Sequence, residues 1–170
     1  MILGLDLSLT ATGWAIVWRH NVTDQGTLSD LGSKASWPDR LDAWSCAIHP
    51  YLSERPDAIY VEDIGGNQYG AVELGMVHAL FWRLARFHAI DGRVTMVNAS
   101  TLKKYATGKG NASKALVLTE AVRRLGYPGC DDNAADALWL ADMGARHAGY
   151  ERPPLPAAQL AVLDKLKAAA

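Results

Sequence analysis

Several things are scarce in this chain, and each shortage removes a class of answer. Cysteine occurs only at Cys46 and Cys130 among 170 residues. Neither has metal-ligand spacing, so a disulfide framework and a cysteine zinc site are both unsupported, and two buried, free thiols in a reducing compartment are expected instead. Long apolar runs are missing as well. Charges break every hydrophobic stretch well short of the roughly 18 residues that a membrane span needs, and Asp6 falls where a signal peptide would carry its apolar centre. A cytoplasmic protein with no membrane partner is expected. No sign of charge dominates, because the formal net charge is −1, so nothing global points to nucleic acid. The histidines lack the HExxH spacing of a zinc hydrolase.

What remains is 49% hydrophobic, enough for one full core and too short for two comfortable domains. Residues 1 to 17, MILGLDLSLTATGWAIV, organise the rest. Ile2, Leu3, Leu5 and Leu7 form a continuous apolar run of the kind covered on both faces of a sheet. Asp6 interrupts it. In a pleated strand Ile2, Gly4 and Asp6 share one face, so a carboxylate is carried by a buried element, and a buried charge needs a partner such as a metal ion. Ser8, Thr10, Thr12 and Gly13 make a small hydroxyl-rich turn, and Trp14, Ile16 and Trp18 resume an alternating strand. An Asp at a strand end often only caps a turn; the acids further along argue for more.

Residues 21 to 32 read as a polar edge strand. Ser36 then caps a helix with Pro38 and Asp39 in its first turn, Leu41, Trp44, Ile48 and Leu52 as its packing stripe, and an end before Pro56. DAIYVEDI, residues 57 to 64, is a second buried strand finishing on Glu62 and Asp63. These neighbours point to opposite faces, so only one can join Asp6, and alternation alone leaves the choice open. GGNQYG, residues 65 to 70, is a loop. Residues 71 to 90 make a long helix whose stripe, Val72, Met76, Leu80, Leu84 and Phe87, reads as core packing. Its Gly75 and Ala79 permit close approach, which makes it the candidate dimer surface, with the C-terminal helix as the alternative. Residues 93 to 98 give a further buried strand.

Between residues 93 and 124 the chain turns basic, with Arg93, Lys103, Lys104, Lys109, Lys114, Arg123 and Arg124 against Glu120 alone. Such clusters are usually solvated helix faces. Here the glycine-punctuated loop STLKKYATGKGNASK, leading through Asn111 as cap into a helix with Leu116, Val117 and Val122, suits phosphate contacts. The last helix of the domain, residues 131 to 148, begins DDNAADALWLAD. Asp132 and Asn133 share a face with Asp136, whereas Asp131 and Asp142 fall off it. Capping accounts for the first acids of that helix but not for Asp136, one turn inside among alanines and leucines.

Acids on three separate elements, Asp6, Glu62 or Asp63, and Asp136, are oxygen ligands of the kind hard divalent cations choose. Two Mg²⁺ ions about 4 Å apart would clamp a phosphoryl displacement, which is nuclease chemistry.

GLDLS with TGWA, then VED, then KKYATGKGNASK, then DNAADAL, in that order over residues 1 to about 148, resembles the RuvC-type Holliday-junction resolvases of the RNase H-like superfamily. The resemblance implies an α/β, RNase H-like fold with a five-stranded mixed sheet flanked by helices. It also implies Mg²⁺-dependent cleavage of phosphodiesters at branched DNA, with Mn²⁺ able to substitute, by a homodimer that cuts symmetrically. Residue by residue, Asp6, Glu62 and Asp136 match the family's acids, Lys103 and Lys114 match two basic loop positions, and Gly108 and Gly110 keep the spacing between them. Asn133 stands where the family commonly has an acid or histidine, so either Asn133 or Asp132 completes the metal site. Lys103, Lys104, Lys109 and Lys114 are the candidate DNA contacts, with Lys114 near the scissile phosphate and Tyr69 as a junction-probing aromatic. The loop after Glu62 departs from that of bacterial members and reads as shorter; short, divergent members of the family occur in bacteriophages, and such a source is expected. Residues 149 to 170, set apart by Pro153, Pro154 and Pro156, read as a linker and a short helix bearing Leu160, Leu163 and Leu166. An RNA nuclease of the same superfamily and a non-catalytic junction-binding protein are the rival readings.

Overall fold

A computed structural model of the chain describes residues 1–29, 35–65 and 71–166; Tyr69 and the last residues of the expected edge strand lie outside them. Strand β1 (Ile2–Asp6) pairs antiparallel with β2 (Ala11–Trp18), and β2 pairs antiparallel with β3 (Asn21–Ser29). On its other side β1 pairs parallel with β4 (Ala58–Glu62), which pairs parallel with β5 (Val94–Val97). The order β3-β2-β1-β4-β5 is the expected five-stranded mixed sheet. Helices α1 (Trp37–Ser53) and α2 (Ala71–Phe87) cover one face, where Leu3, Leu5, Ile59 and Val61 meet Trp44, Ile48 and Phe81. Helices α3 (Ala99–Thr107), α4 (Lys114–Leu125), α5 (Asp132–His147) and the short α6 (Ala157–Leu160) lie on the other, with Ile2, Ala15, Val17 and Tyr60. Cover on both sides is what the continuous apolar run in β1 requires.

One glycine pair lets α5 lie directly on the sheet. A Cβ on Gly13 would stand 2.0 Å from Asn133 O, and one on Gly4 would stand 2.1 Å from Ala137 O. Backbone therefore meets backbone there, and any side chain at either position would lift the helix.

Four expectations need correction. The stripe Val72, Met76 and Phe87 on α2 is exposed, at 72%, 43% and 76%, and Leu80 and Leu84 are only partly buried; the residues in the core are Val77, Phe81 and Ala85. This helix is apolar on more than one side, so periodicity offered two stripes, and the one with the large ring and the small alanine packs closer. Residues 99–107, expected as loop, are helical. Asn98 caps them by accepting from Ser100 N–H at 2.9 Å, and Gly108 ends them at φ 83°. The cap of α4 is Ser113 rather than Asn111, and its buried residues are Val117 and Ala121, with Leu116 and Val122 exposed. Both cysteines are free, as expected, but exposed rather than buried.

The segment after α5 packs against the domain. Leu155 and Val162 are buried, and buried Gln159 donates through Nε2 to Tyr105 O at 2.8 Å.

Candidate metal and nucleic-acid site

Register sets Glu62, rather than Asp63, beside Asp6. Gly4 pairs with Tyr60 and Leu5 with Val61, so the next residues, Asp6 and Glu62, emerge side by side on the face that Gly4 and Tyr60 share. Asp63 follows on the opposite face of the strand, exposed, with its carboxylate accepting from Ile64 N–H at 2.8 Å, although it too reaches the rim of the cavity described below. Asp6 also pairs with Gly13, the glycine over which the first turn of α5 sits. Asp136 lies between Asn133, above Gly13, and Ala137, above Gly4, and its carboxylate is near enough to Asp6 and Glu62 for their charges to act on one another, although it does not itself line the cavity described below. Asp131 caps the helix, its Oδ1 accepting from Asn133 N–H at 2.9 Å and Ala134 N–H at 3.4 Å.

The three carboxylates disturb one another. Burial, then repulsion from Glu62 and Asp136, pushes Asp6 well above the ordinary range, with the Lys114 ammonium opposing. Burial and then Glu62 push Asp136 up to about 7. Glu62 is also raised by burial, against the pull of Lys114 and Lys103. Burial acts to lower Lys114, but its hydrogen bond and ion pair with Asp132, at 3.1 Å, together with Asp6 and Asp136, hold it above its usual value. The site has more negative charge than its lysines neutralise.

A cavity of about 400 Å³ opens on this edge, lined among others by Asp6, Glu62, Asn133 and Lys114. It thus gathers residues from β1, β4, α4 and α5. Asp132 engages Lys114 at its margin. Lys103 acts on Glu62 and Asp136 through its charge, whereas Lys104 and Lys109 are exposed and do not line the cavity. Arg40, Glu73 and His78 line it too and were not singled out by sequence, because each sits in a helix whose stripe reads as packing.

The donors fit a hard divalent cation: they are oxygens, partly buried, mutually repelling and short of positive charge. Among the described residues no three acidic, imidazole or thiol groups converge tightly enough to enclose an ion as they stand. Binding would draw the carboxylates inward, which their repulsion opposes without a cation present.

No family model matches the chain. It is 32% identical over 165 residues to the crossover junction endodeoxyribonuclease RuvC of Erythrobacter litoralis, covering 91% of this chain and 99% of that one. It is 30% identical over 155 residues to the protein of the same name from Sphingopyxis alaskensis, covering 86% and 97%. Its fold resembles Thermus thermophilus RuvC with a TM-score of 0.71, at 18% identity over 90% of this chain and 99% of that one. The same protein in complex with Holliday junction substrate also gives a TM-score of 0.71, at 19% identity over 90% and 98%.

Proposed function

The chain belongs to the RuvC family of crossover junction endodeoxyribonucleases, and from that premise we propose that it is a Holliday-junction resolvase, a metal-dependent endonuclease that nicks branched DNA in symmetric pairs. The observation that carries this reading is the register that sets Asp6 beside Glu62 under Asp136. Asp6, Glu62 and Asp136 would hold Mg²⁺, in a site for two ions. Asn133 would complete it as a neutral oxygen ligand, since Asn133 lines the cavity while the carboxylate of Asp132 is taken by Lys114. Mn²⁺, with similar oxygen preferences, would substitute. Bound there, the ions would supply Lewis acidity for in-line displacement at phosphorus.

The chain's own groups do the rest. Lys114 stands where a scissile phosphate would lie and would neutralise charge developing on it. Lys103 extends that positive field toward the flanking phosphates, and Lys104 and Lys109 would grip the backbone further out. Tyr69 is our candidate for probing the junction centre.

A four-way junction has near two-fold symmetry and needs two opposed cuts, so one site per chain calls for a two-fold dimer. The outward face of α2, with Val72, Met76 and Phe87 exposed and open space above Gly75, is the surface we assign to it. We place the protein in the cytoplasm, where two exposed free thiols at Cys46 and Cys130 stay reduced. No helix among the described residues is long and apolar enough to cross a membrane.

The test is a substrate panel. Purified protein with Mg²⁺ is given end-labelled four-way junction, linear duplex, single strand and RNA–DNA hybrid, and its mass is measured in solution. Paired symmetric nicks in the junction, little cutting of duplex and a dimeric mass are expected. Preference for RNA-containing strands would move the assignment to an RNA nuclease, and tight junction binding without cleavage to a binding protein.

A further inference from the structure

Lys114 reaches the cavity from the α4–α5 side of the sheet. The α1–α2 side also supplies a cation, Arg40, and its position follows from how α1 is anchored. Trp44 is fully buried, and its indole N–H donates to Thr12 Oγ1 at 2.8 Å. The same hydroxyl oxygen accepts from Ser8 N–H at 2.9 Å, so one buried tryptophan pins α1 to the β1–β2 turn. Arg40 lies one turn earlier on the same helical face. It is thereby carried to the cavity's rim, which it lines together with Ser8, Leu9 and Thr10.

Its bonding there is incomplete. The guanidinium carbon sits 5.5 Å from the centre of the Trp37 ring, a stacking contact that holds the group without using its N–H donors. Among the described residues Arg40 Nε is shut away from solvent and meets no acceptor. Among the described residues no carboxylate forms an ion pair with it. Arg146 and Arg152, by contrast, both close on Asp142. The chain therefore leaves the bonding of this guanidinium incomplete, and its terminal nitrogens, which no described residue engages, can meet two oxygens of a phosphate in the bidentate match that guanidinium prefers. Beside it the Ser8 and Thr10 hydroxyls share a hydrogen bond at 3.1 Å that either can donate, which leaves one hydroxyl proton of the pair for a ligand.

We propose that Arg40, with the hydroxyls of Ser8 and Thr10, forms a metal-independent subsite for a backbone phosphate of the bound nucleic-acid strand. It faces Lys114 across the carboxylates, so a strand crossing the site is gripped from both layers of the fold. The inference rests on the nuclease reading of the same cavity.

The test uses the full chain and a four-way junction in EDTA, so that binding is read without metal or cleavage. Single methylphosphonate linkages, which remove one backbone charge, are placed in turn around the branch point. In the wild type one position should lose about tenfold in affinity, the worth of a hydrogen bond to a charged group. Arg40→Ala should bind about tenfold more weakly with an unchanged melting temperature, and that same methylphosphonate should then cost nothing further. Arg40→Lys should recover part of the affinity. Wild-type affinity in Arg40→Ala, or a variant that stays as sensitive as wild type at every linkage, overturns the subsite. Cleavage of the unmodified junction with Mg²⁺ runs alongside: binding and linkage results as expected without cleavage would overturn the nuclease reading and keep the subsite. Failure of the wild type to bind in EDTA while it still cuts with Mg²⁺ overturns the metal-independent subsite alone, and failure both to bind and to cut overturns both.

Discussion

Asp136 and Asp142 lie on the same helix and are both buried, yet their surroundings are opposite. Asp142, with no exposed surface, receives Arg146 Nε at 3.0 Å, Arg152 Nε at 2.6 Å and the Tyr105 hydroxyl at 2.6 Å. Every bond its charge needs is made within the chain. Asp136 faces two further carboxylates and is held above its ordinary range by burial and by Glu62. A buried acid that the fold has fully partnered is part of the scaffold; a buried acid left in repulsion is kept for something that arrives later.

Substitution should split the two in opposite directions. Asp6→Asn, Glu62→Gln and Asp136→Asn should each lower junction cleavage by a thousandfold or so, the scale of losing a charge that stabilises the transition state. Junction binding and folding should survive, and Asp63→Asn should cut nearly as well as wild type. Asp142→Asn should do the reverse. It strands two guanidiniums with little access to water and should cost about 3 kcal/mol, a fall of roughly 6–12 °C in melting temperature, while the protein that remains folded keeps its metal-dependent cleavage. Near-normal cutting by Glu62→Gln alongside an inactive Asp63→Asn would mean that the other strand face carries the site. A melting temperature unchanged in Asp142→Asn would remove the distinction altogether.

A smaller effect sharpens the same contrast through pH. Because Asp136 is raised in the folded state to about 7 from an ordinary 3.8, the unfolded chain releases its proton first as pH rises. Its contribution is therefore fully present in acid and is lost between about pH 4 and pH 7. Asp6 and Glu62 are raised too and act in the same direction. Metal-free protein should melt higher at pH 5 than at pH 8, Mg²⁺ should raise the melting temperature at pH 8 far more than at pH 5, and Asp136→Asn should gain about 2 kcal/mol at pH 8 without metal. Differential scanning fluorimetry with and without EDTA measures all three. A metal-free protein that is most stable at pH 8 would show the carboxylates to be paired after all.

How far these features could be read in the sequence depended on whether their partners were local. Asp6 stood out because it breaks an apolar strand, and Asp136 because it lies one turn beyond any capping role. Both are patterns within a few residues. The five strands were legible for the same reason. Alternation left Glu62 and Asp63 open and only the family resemblance favoured Glu62; the parallel register between β1 and β4, which sets Glu62 beside Asp6, is contained in no periodicity within either strand. Asp142 looked like a stray acid, since two of its partners, Tyr105 and Arg152, belong to other segments. The core face of α2 was misread because an all-round apolar helix gives periodicity nothing to choose by. Helix α3 was hidden by its glycine-bounded, lysine-rich sequence; the available signal was Asn98, a good cap directly before it.

The smallest predicted effect concerns the lysines, and it separates charge that belongs to the site from charge that only surrounds it. Lys103 on α3 is half-buried and its field reaches Glu62 and Asp136, while Lys104, in the last turn of the same helix, is exposed. If both neutralise phosphates, replacing either by alanine should lower the salt dependence of junction affinity by about one unit of slope. Only Lys103→Ala should also slow cleavage at saturating DNA, because only its charge acts on the carboxylates. That loss should be modest, on the order of tenfold, since Lys114 remains at the cavity and electrostatic groups acting from a distance contribute little beside one in contact. Affinity titrations across a range of salt concentrations, with single-turnover cleavage rates beside them, measure both quantities. Equal cleavage rates in the two variants would return Lys103 to the outer, purely backbone-gripping set, and unchanged slopes in both would make this helix face merely solvated.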